Sequence, residues 1–232
     1  MFPLTREFPK PLLEVGKRPI IDYIIDKLEV VSEIDEITVV TNSKFISQFK
    51  TWAALLKTKK RVTLIDDLTS SIEDRRGAIG DMHFVFERSN LKSNTLVIGG
   101  DNLFDGAITD FLSYAGEVEG NPVIGVYDIG KKELATHYGV VALDADNKII
   151  DFAEKPAQPA STLVAMCLYY FPKEKLGLID EYVRNKANIS DAAGFYIDWL
   201  RKRVEVYAFV FGGRWFDIGD HEFYKEAGEK FK

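Results

Sequence analysis

The sequence predicts an α/β fold: a mostly parallel, Rossmann-like sheet with helices on both faces, and a β-rich extension in the second half. Through about Gly130, short runs of β-branched residues alternate with stretches that carry apolar residues at helical spacing. Such alternation is typical of parallel sheets covered by helices. Beyond that point the sequence favours strands joined by polar turns, which indicates a hairpin-built extension.

The individual elements follow in chain order. Buried strands are predicted at 37–41, 61–65, 95–100 and 122–127, because Val, Ile, Leu and Thr dominate each run. Amphipathic helices are predicted at 20–28, 45–56, 77–88 and 108–118. The second half should hold a hairpin over 139–152, strands over 162–171 and 204–211, and helices over 180–184, 192–203 and 221–230.

Composition and charge limit the function classes. Of the 232 residues, 46% are hydrophobic and 28% are charged, as in ordinary globular proteins. The net charge of −6 argues against a protein that coats nucleic acid, because phosphate backbones require a basic face. No apolar run approaches the roughly 18 residues of a membrane span, and no signal peptide follows Met1, so we expect a cytoplasmic protein. The single cysteine, Cys167, excludes an intrachain disulfide and is expected to be a small buried hydrophobe.

Two motifs place an aspartate next to apolar residues. Gly99-Gly-Asp-Asn-Leu-Phe104 follows a predicted strand, and ligands of open α/β sheets bind beyond the carboxyl ends of strands. Asp101 is therefore placed to meet a metal or a magnesium-bound phosphate, since Mg²⁺ requires hard oxygen ligands. Trp215-Phe-Asp-Ile-Gly219 could supply a second ligand, Asp217. For each motif alone, a turn with a capping aspartate is the competing interpretation.

Two further motifs carry lysines beside prolines. In Asp151-Phe-Ala-Glu-Lys-Pro156, an extended backbone would point Glu154 and Lys155 to opposite faces, and the proline favours that backbone. The carboxylate would suit sugar hydroxyls and the ammonium a phosphate, whereas a surface charge pair is the alternative. In Pro9-Lys-Pro-Leu-Leu-Glu-Val-Gly-Lys-Arg-Pro19, flanking prolines should hold Lys10 extended, either as a phosphate-binding lysine or within a rigid surface loop.

In this order the four motifs resemble those of the sugar-1-phosphate nucleotidyltransferases, and most closely the glucose-1-phosphate thymidylyltransferase branch. The resemblance covers essentially the whole chain and implies a role for each matching residue. It makes Lys10 a phosphate contact, Asp101 and Asp217 ligands of magnesium, and Lys155 the lysine that holds the sugar phosphate. It places Tyr138, Gly139 and Glu154 in the sugar pocket, and Gly77 and Gly80 at the nucleotide base.

The same resemblance implies an activity. A nucleotidyl group would pass from dTTP or UTP to a hexose 1-phosphate, with Mg²⁺ as cofactor, giving a nucleotide sugar and pyrophosphate. Residues 1–130 would form the nucleotide-binding part and 131–232 the sugar-phosphate-binding part of a single domain. The partners would be a nucleoside triphosphate and a sugar 1-phosphate, with neither nucleic acid nor membrane, and an unpaired sheet edge could support a homo-oligomer. The alternative is a catalytically inactive homologue that binds a sugar nucleotide or regulates a partner subunit.

The sequence departs from the family pattern in three places. The family has a strand and a G-x-G-T-R loop, which cradles the triphosphate, directly before a segment like Met1-Phe-Pro-Leu-Thr5. We therefore expect Met1 to be an internal methionine of a longer gene product, and the 232-residue chain alone to be poorly active. The base loop, Arg76-Gly-Ala-Ile-Gly-Asp81, lacks the family's threonine. Met166-Cys167 stands where the sugar-pocket strand often has threonine and glycine.

Overall fold

The predicted helices and strands appear in the predicted order, with shifts of up to about three residues at their ends, and further short elements lie between them. The computed structural model of the protein describes residues 4–71, 73–185, 187–188, 191–219 and 221–231. Its helices are α1 Leu4–Glu7, α2 Ile20–Glu29, α3 Ile46–Leu55, α4 Gly77–Arg88, α5 Ile108–Glu117, α6 Lys132–Ala135, α7 Gly177–Arg184, α8 Ala193–Arg201 and α9 His221–Lys230. Its strands are β1 Glu14–Val15, β2 Arg18–Pro19, β3 Glu36–Thr41, β4 Arg61–Asp66, β5 Thr95–Ile98, β6 Asn102–Phe104, β7 Val123–Asp128, β8 Gly139–Leu143, β9 Ile149–Glu154, β10 Leu163–Phe171, β11 Tyr207–Phe211 and β12 Trp215–Asp217.

The chain divides into two compact units, and each is assembled from separate stretches of sequence. Unit 1 comprises Met1–Arg75, Gly99–Thr109 and Gly213–Lys232. Unit 2 comprises Arg76–Ile98 and Asp110–Gly212. Within the described ranges, no helix of either unit is long and apolar enough to cross a membrane.

Unit 1 carries the first half of the predicted alternation. Strands β3 and β4 are parallel, from the pair Glu36↔Arg61 to the pair Thr41↔Asp66, whereas β6 and β12 are antiparallel. The apolar stripe of α2 is buried as predicted: Ile20, Ile21, Ile24, Ile25 and Leu28. Leu103 of β6 and Phe216 of β12 pack into one core cluster with Ile20. This packing fixes the two strands that bear the candidate metal ligands.

Unit 2 is built around a six-stranded mixed sheet. Its strand order is β11-β7-β10-β8-β9, and β5 also pairs with β10. The β11–β7 pair is parallel, and the pairs made by β10 and within the β8–β9 hairpin are antiparallel. Helices α4, α7 and α8 pack buried residues into the same core as this sheet. The hairpin predicted over 139–152 is confirmed as β8 and β9.

The backbone prediction for Lys10 is wrong. Lys10 begins a short 3₁₀ turn, Lys10–Leu12, and is not extended. The carbonyl of Pro9 accepts the N–H of Leu12, and that of Lys10 accepts the N–H of Leu13, each at 3.0 Å. Pro11 fits inside this turn because the first backbone N–H groups of a helical turn have no carbonyl partner within it, so the missing N–H of proline breaks no hydrogen bond. The prolines therefore shape a turn at this lysine.

Two other backbone expectations also fail. Lys155 precedes a proline but adopts φ +46°, and its N–H donates to the carbonyl of Tyr138 at 3.0 Å. This bond lies one residue beyond the last pair of the β8–β9 hairpin, so the hairpin outweighs the weak preference imposed by proline. Cys167 is only partly buried, at φ +54°. It lies where the β10–β7 register shifts between Ala165 and Tyr169, so a bulge replaces the regular strand.

Candidate active site

The two predicted metal ligands lie at the ends of two paired strands of unit 1. Asp101 is the last residue of a turn before β6, and Asp217 is the last residue of β12. The antiparallel register pairs Asp217 with Asn102, the residue directly after Asp101. The N–H of Ile218 donates to the carbonyl of Asp101 at 3.2 Å. The structure thus brings the two motifs together, and the following strand excludes the interpretation of Asp101 as a helix cap.

Side-chain hydrogen bonds hold this strand pair in register. The indole N–H of Trp215 donates to the carboxamide oxygen of Asn102 at 2.7 Å in a buried position. The guanidinium of Arg214 donates to both carboxylate oxygens of Asp105, at 2.7 and 3.2 Å. These bonds, with the Arg214 N–H that Asp105 also accepts, lower the pKa of the Asp105 carboxyl. The strand pair is therefore locked at both ends of β6.

Lys10 contacts the first of these acids. Its Nζ lies 3.4 Å from Oδ2 of Asp101, and both side chains are about one-third exposed. Gly100 permits this approach, because a Cβ at Gly100 would lie 3.0 Å from Cγ of Pro11. The neighbouring glycine thus lets the Lys10 turn pack directly against the Asp101 turn.

The donor set of this acid pair fits a magnesium ion. Carboxylate oxygens are the ligands that Mg²⁺ prefers, and both side chains are accessible to solvent. Lys10 already neutralises Asp101 in part, which opposes a cation. However, a partly exposed ion pair is worth about 1 kcal/mol or less, so a divalent ion could displace the ammonium at small cost. The displaced lysine would then be available for a phosphate.

Glu154 occupies the end of β9 in unit 2. It pairs with Gly139 of β8, and its side chain is more than half buried. Among the described residues, no donor lies within hydrogen-bond distance of its carboxylate. Burial therefore raises the pKa of Glu154, although the adjacent Lys155 partly offsets this. A half-buried carboxylate without a donor is well suited to accept hydrogen bonds from a ligand's hydroxyls.

Two glycines enclose the Glu154 carboxylate. A Cβ at Gly139 would lie 3.1 Å from Oε2 of Glu154 and 2.4 Å from Cζ of Phe152. A Cβ at Gly194, in the first turn of α8, would lie only 1.8 Å from the same oxygen. The carboxylate can therefore occupy this position only because both neighbours lack side chains.

Sequence reasoning identified Gly139 but missed Gly194. A signal was present: a glycine inside an amphipathic helix pattern costs about 1 kcal/mol relative to alanine and calls for a packing reason. The pattern over 192–203 contains such a glycine at its start. The reason is the carboxylate of Glu154, which lies far away in sequence.

Lys155 and Tyr138 meet at the open end of the same hairpin. The Lys155 side chain is exposed and Tyr138 is partly buried. The left-handed backbone of Lys155 turns the chain away from the strand direction immediately after Glu154. Two groups of opposite charge are thus presented by adjacent residues, with the carboxylate in the interior and the ammonium in solvent.

Tyr169 and Cys167 lie close to Glu154. Burial raises the pKa of Tyr169 well above its ordinary value, and a hydrogen bond with Cys167 and the charge of Glu154 raise it further. Tyr169 is 3% exposed, so its hydroxyl remains protonated at neutral pH. The bulge at Cys167 brings the thiol towards this group. The departure from the family pattern at 166–167 therefore lies beside the candidate sugar carboxylate.

The predicted base-binding glycines begin helix α4. Gly77 adopts φ +73°, which favours glycine. Gly80 packs closely, because a Cβ there would lie 2.8 Å from the Cβ of Arg76. The N–H of Ala78 donates to the carbonyl of Asp191 at 3.1 Å. These contacts explain both glycines structurally, and their role at a nucleotide base remains a prediction.

The larger cavity of unit 1 lies away from the predicted acids. It has a volume of about 650 Å³ and is lined by residues of α2 and α3 with neighbouring segments, including Trp52 and Asp22. A smaller cavity of about 280 Å³ is lined in part by Lys10. The size of a cavity does not by itself identify a site for phosphate or metal. We therefore locate the candidate chemistry at the Asp101–Asp217 strand pair.

Three comparisons bear on these features. The sequence profile described as "Nucleotidyl transferase" matches residues 1–232. The bifunctional protein GlmU of Methanocaldococcus jannaschii is 28% identical over 223 residues, which are 94% of this chain and 48% of that protein. The chain thus spans about half the length of this curated relative.

Solved structures with low sequence identity share the fold. A putative glucose-1-phosphate thymidylyltransferase from Bacillus anthracis, crystallised with a sucrose, has a TM-score of 0.79 at 19% identity. That alignment covers 99% of this chain and 89% of the other. An apo UDP-glucose pyrophosphorylase has a TM-score of 0.80 at 18% identity, covering 100% and 93% of the two chains. These likenesses confirm the Rossmann-like α/β class, and the full-length profile match shows that the chain belongs to the nucleotidyl transferase family.

Proposed function

We propose that the protein transfers a nucleotidyl group from a nucleoside triphosphate to a hexose 1-phosphate. The observation that carries the proposal is the Glu154 carboxylate, which is enclosed by two glycines and next to the exposed ammonium of Lys155. A carboxylate to which the described residues of this chain donate no hydrogen bond suits sugar hydroxyls, and a neighbouring lysine suits the phosphate on the same sugar. A sugar phosphate presents both groups on one small molecule.

In the proposed reaction, a phosphate oxygen of the sugar 1-phosphate attacks the α-phosphorus of the triphosphate. The bond from that phosphorus to the bridging oxygen of the β-phosphate breaks, and pyrophosphate leaves with its electron pair. Such reactions depend on positioning and charge neutralisation, with little covalent participation by the protein. Glu154 would orient the sugar ring, Lys155 would hold its phosphate, and Lys10 would neutralise the nucleotide side.

Asp101 and Asp217 would hold Mg²⁺. A bound magnesium ion neutralises charge on phosphate oxygens during transfer. The strand pairing already fixes the backbone of both acids, so little ordering of the protein remains for the moment of binding. Tyr138 and Gly139 would complete the sugar pocket, and Gly77 and Gly80 would lie against the base.

The choice of base and sugar is part of the proposal. We favour dTTP or UTP with a glucose-like 1-phosphate, in line with the names of the two structural neighbours. The chain covers 48% of the curated relative, so the full activity of that protein is not assigned to this chain. Binding of sugar 1-phosphate can be measured on the present chain.

The test is release of pyrophosphate by the protein with each common nucleoside triphosphate and glucose 1-phosphate. We expect release with dTTP or UTP that requires Mg²⁺ and that falls steeply in Asp101→Asn while circular dichroism shows an intact fold. Unchanged release by Asp101→Asn would refute the metal assignment. Binding of glucose 1-phosphate without pyrophosphate release under any condition would favour an inactive sugar-binding homologue.

A further inference from the structure

A second cluster of metal-binding side chains lies in unit 2, on residues that the proposed reaction does not use. His83 and Glu87 belong to α4, and Asp180 belongs to α7. One donor atom from each of the three side chains lies within 4.8 Å of the other two. We propose that this cluster binds a first-row transition metal ion of the Zn²⁺ type and thereby clips α4 to α7.

The two helices present the three groups on rigid backbone. His83 and Glu87 are four residues apart, so they project from the same face of α4. Ile79 and Met82 of α4 are buried in one core cluster with Ile179 and Tyr182 of α7. The helix positions are therefore set by apolar packing, independently of the cluster itself.

Two carboxylates lie near a single ring nitrogen of His83, which can donate only one hydrogen bond. Nε2 of His83 lies 3.1 Å from Oδ1 of Asp180 and 3.8 Å from Oε1 of Glu87. A single N–H can serve the nearer carboxylate, which leaves the other without that partner. A metal ion with bonds of about 2.0–2.2 Å would engage all three atoms. Only the Glu87 side chain needs to approach, and it is 64% exposed, so it can change rotamer without disturbing the core.

The donor types set the class of metal. An imidazole nitrogen with two carboxylate oxygens suits Zn²⁺, Co²⁺ or Ni²⁺, whereas Mg²⁺ prefers oxygen ligands throughout. His83 is largely buried, at 17% side-chain exposure, which limits its rotation. Three protein ligands leave room for water at the remaining positions.

Arg184 also contacts the carboxylate of Asp180. Its Nε lies 2.8 Å from Oδ2 and 2.9 Å from Oδ1 of Asp180, one helical turn along α7. This contact orients the carboxylate, as groups behind metal ligands commonly do. Two carboxylates against one guanidinium leave a net negative charge beside the imidazole of His83, so attraction for a cation persists.

The experiment is calorimetric titration of the metal-stripped protein with ZnCl₂, together with visible absorption during titration with CoCl₂. We expect one equivalent to bind in wild type and in Asp101→Asn, which separates this cluster from the proposed magnesium ligands. His83→Gln should abolish that binding. Glu87→Gln should weaken it by about tenfold, the scale on which lost metal-site contacts act. His137→Gln, at an exposed histidine, is the matched control and should bind as wild type does.

Two outcomes would overturn the proposal. One is the absence of saturable binding in wild type at millimolar ZnCl₂, which would leave a hydrogen-bonded histidine–aspartate pair between the helices. The other is binding that survives unchanged in Glu87→Gln, whose exposed side chain can be replaced with little effect on folding, as circular dichroism would verify. Neither result depends on the activity proposed above.

Discussion

Gly194 is the position at which the smallest substitution should most disturb the candidate sugar pocket. In Gly194→Ala, the new Cβ would lie 1.8 Å from Oε2 of Glu154, while ordinary van der Waals contact begins near 3.4 Å. The carboxylate would therefore retreat by about 1.6 Å, or α8 would shift. Either movement exceeds the tolerance of a hydrogen bond, which weakens beyond about 3.2 Å between heavy atoms.

The magnitude follows from what the carboxylate would lose. Hydrogen bonds to charged groups contribute about 1.5–3 kcal/mol each, so the dissociation constant for glucose 1-phosphate should rise by roughly 10- to 100-fold. Overpacking should also lower the free energy of unfolding by about 1–3 kcal/mol. Calorimetric binding of glucose 1-phosphate and urea unfolding measure the two effects separately.

Gly116→Ala supplies the matched control. Gly116 lies in α5, and a Cβ there would meet no atom within 4 Å. This variant should bind glucose 1-phosphate as wild type does and gain about 0.5–1 kcal/mol in unfolding free energy, since alanine favours helix. A folded Gly194→Ala protein that binds glucose 1-phosphate with wild-type affinity would refute the enclosure argument. If Gly194→Ala fails to fold, wild-type affinity of Glu154→Gln for glucose 1-phosphate would also refute the enclosure argument.

The other predictions concern charge. Because burial raises the pKa of Glu154, the folded state keeps this proton to higher pH than the unfolded state does. The free energy of unfolding of wild type, relative to that of Glu154→Gln, should therefore fall as pH rises from the ordinary pKa of 4.5 through the raised pKa. Urea unfolding across this pH window measures the difference. A constant difference between the two proteins would contradict this. Lys155→Ala should weaken glucose 1-phosphate binding by about tenfold, as expected for the loss of one charged hydrogen bond. Lys173 is an exposed lysine of the same unit, and Lys173→Ala should leave this binding unchanged. Equal effects of the two substitutions would exclude Lys155 from the site. Arg214→Ala should lower the free energy of unfolding at neutral pH by more than Arg61→Ala does, because Arg61 lies in a more exposed ion pair. The difference between the two variants should shrink as pH falls through the lowered pKa of Asp105. A pH-independent difference would exclude Asp105 as the partner that matters.

Local sequence signals predicted most elements because their physical basis is local. The stripe from Ile20 to Leu28 fixed α2, since those residues must share one buried face. The alternation in 139–143 and the polar turn after it indicated the β8–β9 hairpin. Here, pattern and packing demand the same structure.

The failures lie where a distant contact decides the conformation. The following proline favours an extended backbone at Lys155, but the N–H of Lys155 donates instead to the carbonyl of Tyr138. Cys167 was expected to be a buried strand residue, but the sheet register shifts at that point. The helix pattern around Gly194 signals a packing constraint, but it does not identify the partner, Glu154, which is distant along the chain.

The candidate site was predictable in part for a different reason. The motifs around Asp101 and Asp217 can each be read as a turn, and only their resemblance to a family pattern joined them. The structure confirms the adjacency of their backbones through the β6–β12 register. The metal-binding cluster at His83 escaped the sequence reasoning, because Asp180 lies on a separate helix and no spacing rule links the two.

The interleaving of the two units has a consequence for synthesis of the protein on the ribosome. Strand β6 is synthesised well before its partner β12, because Asn102 and Trp215 are 113 positions apart in the sequence. Chains fold progressively from the N-terminus during translation, so unit 2 can gather most of its strands before Asp217 exists. The backbones of Asp101 and Asp217 can become neighbours only after the stretch Gly213–Lys232 has left the exit tunnel. A nascent chain that stops before that stretch would therefore hold the strands of unit 2 without the β6–β12 pair, and the candidate metal ligands would come together only after unit 2 has been synthesised.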